Sequence, residues 1–135
     1  MYIQPISNLT FNSKIKKLFK QGKLKLDYGL YGEPLTKHNV SDEHIICKCY
    51  GGQTVESNIA LASKEMNNKR GCQPIEKFVT IEMVNAYIER IRKNNLKEYD
   101  IEAYCRGIIK TFSKIFGKEV WLCLIVQWFG MRIKN

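Results

Sequence analysis

Apolar residues recur at helical spacing in three stretches of this chain. Phe11, Ile15, Leu18 and Phe19 predict a short helix over about residues 12–20, its apolar side inward and its lysines outward. Ile81, Val84, Ile88 and Ile91 form a second stripe behind Thr80, a residue suited to cap a helix, and Asn94-Asn95 interrupts it. Ile101, Tyr104, Ile108, Phe112 and Ile115 form a third, ending at Gly117. These stripes read as core. Pro74 suits a first helical turn. Residues 120–129 are apolar without a clear period, so strand and buried helix both remain open there. That run is about half the roughly 20 residues a membrane-spanning helix needs, which makes it a core element and argues against a membrane partner.

The middle of the chain has a different rhythm. Residues 40–47 and 59–62 read as short strands, and residues 63–70 as a helix stopped by Gly71. Between the strands, Tyr50-Gly51-Gly52-Gln53-Thr54 is turn chemistry, where paired glycines permit a positive φ or a close backbone approach. The fold class that follows is α+β. The 135 residues fit one domain, with a basic arm over 1–26, a central unit over 27–79 and a mainly helical extension over 80–135.

Charge sharpens this picture. Twenty-two basic against 13 acidic residues give a net charge of +9, which favours a polyanionic partner, nucleic acid before an anionic surface. In the arm, Lys14, Lys16, Lys17 and Lys20 occur without an acid and are candidates for phosphate contact. Five cysteines, an odd number with no C-x-x-C pair, suit free thiols in a reducing compartment. No apolar leader opens the sequence, so a cytoplasmic location is expected.

The chemistry-bearing segment runs from residue 43 to 71: Glu43-His44-Ile45-Ile46, then Gly51-Gly52, then Asn58-Ile59-Ala60-Leu61-Ala62, then Asn67-Asn68-Lys69-Arg70-Gly71. An acid beside a histidine, an asparagine fourteen residues on and another nine after that give the order His-Asn-Asn. This segment, about 50 residues, resembles the HNH endonuclease family, whose ββα-metal site cuts phosphodiester bonds. P-loop, Rossmann and G-x-S-x-G patterns are absent from the sequence.

The resemblance implies a role for each position. His44 is the general base, suited by a pKa near neutrality. Asn58 orients its ring. Glu43 and Asn67 supply hard oxygens to one Mg²⁺ or Mn²⁺ ion, which would act as Lewis acid. Lys69 and Arg70 touch a phosphate flanking the cut or, equally, neutralise their own helix dipole. The expected substrate is double-stranded DNA, and a homodimer would suit cleavage of both strands.

Two departures from the family pattern qualify this reading. The first metal ligand is usually Asp; here it is Glu43, and Asp42 is an alternative ligand if the strand twists. Where many relatives carry four zinc-binding cysteines, this chain has Tyr28, Tyr31, Ser63 and Met66, so a zinc-free variant is expected. These departures keep a second hypothesis alive: an HNH-derived module, weak or inactive as an enzyme, that binds nucleic acid or regulates a protein partner.

Overall fold

A computed structural model describes residues 11–118. Four α-helices and two strands occur among them: α1 (Lys14–Lys20), β1 (Val40–His44), β2 (Ile59–Ser63), α2 (Lys64–Arg70), α3 (Ile81–Arg92) and α4 (Ile101–Phe116). Short 3₁₀ turns lie at Lys48–Tyr50, Glu56–Asn58 and Ile75–Lys77. This mixture is α+β, as the sequence predicts. The apolar run at 120–129 lies outside the described residues. No helix among the described residues is long and apolar enough to cross a membrane.

Each helix begins where a side chain can satisfy its first free N–H groups. Ser13, Ser63, Thr80 and Asp100 cap α1, α2, α3 and α4, accepting from the backbone N–H groups of Lys16, Met66, Met83 and Ala103. The expected stripes face inward. Ile15, Leu18 and Phe19 of α1, Val84, Ile88 and Ile91 of α3 and Ile101, Tyr104, Ile108 and Phe112 of α4 are buried; Phe11, ahead of α1, and Ile81, at the start of α3, are exposed.

β1 and β2 pair antiparallel, with His44 opposite Ile59 and Val40 opposite Ser63. β1 is shorter than the predicted 40–47, because at residue 45 pairing passes to the loop: the Ile45 N–H donates to the Asn58 carbonyl, and the Ile46 N–H to the Asn58 side chain. β2 is buried throughout, which fits its near-continuous apolar run. A two-stranded sheet leaves a second edge open, and here other elements cover it. The Leu30 N–H donates to the Leu61 carbonyl, the Leu61 N–H to the Tyr87 hydroxyl, and the Tyr104 hydroxyl to the Ile59 carbonyl. Two tyrosines thus tie α3 and α4 to the strand. α2 packs back on both strands, and α1 on β1.

Candidate functional site

Successive residues on a strand point to opposite faces, and the two faces of β1 are used differently. On the α2 face lie Ser41 and Glu43. The Asn67 side-chain N–H groups donate to the Ser41 hydroxyl at 3.2 Å and to the Asp42 carbonyl at 3.1 Å, fixing α2 against the strand. Arg70, three residues on, is 1% exposed. Its five N–H donors meet five acceptors: the carbonyls of Gln73, His44 and Ile45, the Glu43 carboxylate at 3.0 Å and the Cys47 sulfur.

Glu43 is clasped from two sides. Oε1 pairs with Arg70, and Oε2 accepts from the Tyr31 hydroxyl at 2.8 Å. Burial raises the Glu43 carboxyl to about 7, against the pull of Tyr31 and Arg70. Burial also raises the Tyr31 phenol, and the adjoining Glu43 charge adds to the effect.

The other acid beside His44 is also engaged. Asp42 accepts from the Ser13 N–H at 3.0 Å and from its hydroxyl, and pairs with Lys16 at 3.3 Å. Glu56 takes the N–H groups of Lys14 and Ile15. Two carboxylates therefore hold the N-terminus of α1, where a helix dipole favours negative charge.

His44 ends β1 and is half-buried. Its Nε2 lies 2.9 Å from the Thr54 hydroxyl. Burial and then the Lys48 charge lower its pKa below the usual 6.5, so the ring is neutral at physiological pH.

The loop that brings Thr54 to His44 is closed by Asn58. The Asn58 Oδ1 accepts from the Ile46 N–H at 2.9 Å, and its Nδ2 donates to the carbonyls of Ile46 and Gln53 at 3.0 and 2.8 Å. Gly51 turns with φ of 86°. A Cβ on Gly52 would sit 1.7 Å from the Ile46 carbonyl oxygen, so the loop can close this tightly only with glycine there.

Several expectations from the sequence need correction. Arg70 does not face a phosphate: it is buried and fully bonded within the protein. Lys16 is buried against Asp42, whereas Lys14, Lys17, Lys20 and Lys69 are exposed. Asn58 acts on the His44 ring at one remove, by closing the loop that carries Thr54.

Neither acid offers a free carboxylate to a cation in this arrangement, since Glu43 is taken by Arg70 and Tyr31 and Asp42 by α1. A guanidinium at 3.0 Å occupies the place at Glu43 that a divalent ion would need. Among the described residues, no three His, Cys, Asp or Glu side chains group so as to hold a metal ion. The residues present do not fit Mg²⁺ or Mn²⁺ as Glu43–Asn67 ligands.

Thr54 and Tyr31 escaped the sequence reading as site residues. Thr54 was legible only as turn chemistry, and Tyr31 only as a position where the HNH pattern often has cysteine. The joint at those positions is held by Glu33, whose carboxylate accepts from the Ser63 N–H at 2.9 Å, the Ser63 hydroxyl at 3.0 Å and the Tyr31 N–H at 3.2 Å. Compared with known proteins, the chain matches no family model, no curated protein and no solved structure.

Proposed function

We propose that this chain is an endonuclease of the HNH type, hydrolysing phosphodiester bonds in DNA with His44 as general base. One observation carries the reading. A strand ending in a half-buried neutral histidine, a loop closed by Asn58, a second strand and a helix that sets Asn67 against the first strand follow in the order the motif calls for.

The chemistry assigned to the chain is proton transfer. In the tautomer whose Nε2–H donates to Thr54, Nδ1 keeps its lone pair and accepts a proton from a water that attacks phosphorus as a sugar oxygen leaves. The lowered pKa keeps that lone pair free at neutral pH. The proposal rests on this histidine and not on an ion held by Glu43.

A second reading has its own support. The Glu43–Arg70–Tyr31 clasp favours a module that binds nucleic acid without cutting it, because the acid nearest the base is committed to structure. Supercoiled plasmid incubated with the protein and Mg²⁺ or Mn²⁺, beside EDTA and a His44→Ala variant, separates the two. Nicking that is lost in the variant is the result expected of the enzyme. Plasmid binding with no cleavage under any condition would establish the binding module instead.

A further inference from the structure

Three thiols gather where the turn after β1 meets the end of α2. Cys47 is buried, its sulfur held by the Arg70 guanidinium at 3.0 Å and lying 3.6 Å from the Gly71 carbonyl oxygen. Cys49 and Cys72 are both exposed and free. The Cys49 sulfur lies 3.9 Å from the Cys72 carbonyl oxygen. Two exposed cysteines from segments far apart in sequence thus come together on the surface, the Cys49 side chain against the Cys72 backbone. Backbone hydrogen bonds flank both positions: the Tyr50 N–H donates to the Cys47 carbonyl at 2.9 Å, and the Gln73 N–H to the Arg70 carbonyl at 3.1 Å.

We propose that Cys49 and Cys72 form a reversible intramolecular disulfide, a covalent staple between the turn that follows His44 and the end of α2. The oxidant class is a low-molecular-weight disulfide, with oxidised glutathione as probe. One protein thiolate attacks a glutathione sulfur, forming a mixed disulfide and releasing one glutathione thiolate. The second protein thiol, losing its proton, attacks the protein sulfur of that mixed disulfide and displaces the second glutathione. The sum is one protein dithiol and one glutathione disulfide giving one protein disulfide and two glutathione thiols. Cys47 takes no part, because it is buried under Arg70. The pairing closes a ring through β2 and α2, and so restrains the unfolded chain rather than reshaping the folded one.

The proposal is independent of the nuclease reading, and its test needs no activity. The full chain is equilibrated in buffers of graded oxidised-to-reduced glutathione ratio, then acid-quenched, denatured and alkylated. Titratable thiols should fall from five to three, with a Cys49–Cys72 linkage in the non-reduced peptide map and all five thiols restored by dithiothreitol. The oxidised protein should melt about 10 °C above the reduced one. Cys72→Ser should stop at a glutathione adduct on Cys49. A map showing lasting glutathione adducts in the parent chain, a bridge through Cys47, or only bridges between chains would overturn the proposal, as would five free thiols at the most oxidising ratio.

Discussion

Glu43 and His44 are neighbours on β1, yet the regions around them differ in kind. Around Glu43, the Arg70 guanidinium uses every donor and both carboxylate oxygens have partners. Around His44, one ring nitrogen is held by a loop hydroxyl and the side chain is only half-buried. The first region is a saturated buried joint between strand and helix, the kind of network whose members depend on one another. The second is a polar group positioned and partly desolvated but open to a reactant. The difference teaches that an acid adjacent in sequence to a candidate base need not share its task, because strand alternation sends the two side chains into separate environments.

The contrast is broken most severely at Arg70. Arg70→Met leaves a buried carboxylate and three carbonyls without their partner, and should cost about 3–5 kcal/mol in urea unfolding at neutral pH; a loss below about 1 kcal/mol would mean the joint carries no weight.

A somewhat smaller effect is expected from pH. The folded-state pKa of Glu43 stands above its ordinary 4.5, at about 7. The folded protein therefore binds the proton more tightly than the unfolded chain does. The resulting stabilisation is complete below about pH 4.5 and is lost as pH rises through 7, with a span of about 3 kcal/mol. Stability compared at pH 5 and pH 8 should show this component in the parent chain and lack it in Glu43→Gln. Identical pH slopes for the two proteins would place the ionised carboxylate in no difficulty.

On the His44 side, Asn58→Ala removes three hydrogen bonds from the loop and should cost about 2 kcal/mol of stability. It should lower plasmid cleavage more than plasmid affinity, since the loop sets Thr54 and Thr54 sets the ring. Equal losses in both would argue that the loop serves binding.

The smallest effect sharpens the comparison at α1. Replacing the exposed Lys14, Lys17 and Lys20 with Gln should leave stability within about 0.5 kcal/mol and reduce the salt slope of DNA binding by about 2 to 3. Lys16→Gln should do the reverse, lowering stability through Asp42 and leaving the slope alone. An unchanged slope in the triple variant would remove α1 from the DNA-binding surface.

Much of the scaffold was legible from local rules. The helical spacing of α1, the helix start at Thr80, the inward stripes of α3 and α4, and the strand–turn–strand–helix order at 40–70 all follow from periodicity, capping and turn chemistry. Partner choice among polar side chains was not legible. Whether Arg70 meets a phosphate or Glu43, and whether Asp42 meets a cation or Ser13, depends on how distant segments pack, which residue spacing does not encode. Lys16 shows this most simply: the same periodicity places Lys14, Lys17 and Lys20 outside, but one lysine on the helix lies over the Asp42 carboxylate.

The central claim is that His44 accepts a proton during phosphodiester cleavage, and the most direct measurement is the pH profile of plasmid nicking by the parent chain beside His44→Ala. The parent should cut with an acid limb below pH 6.5, as the lowered imidazole pKa requires. The variant should retain DNA binding and lose about 100- to 10,000-fold in rate, together with that limb. A variant that nicks at the parental rate with the same limb would contradict the account.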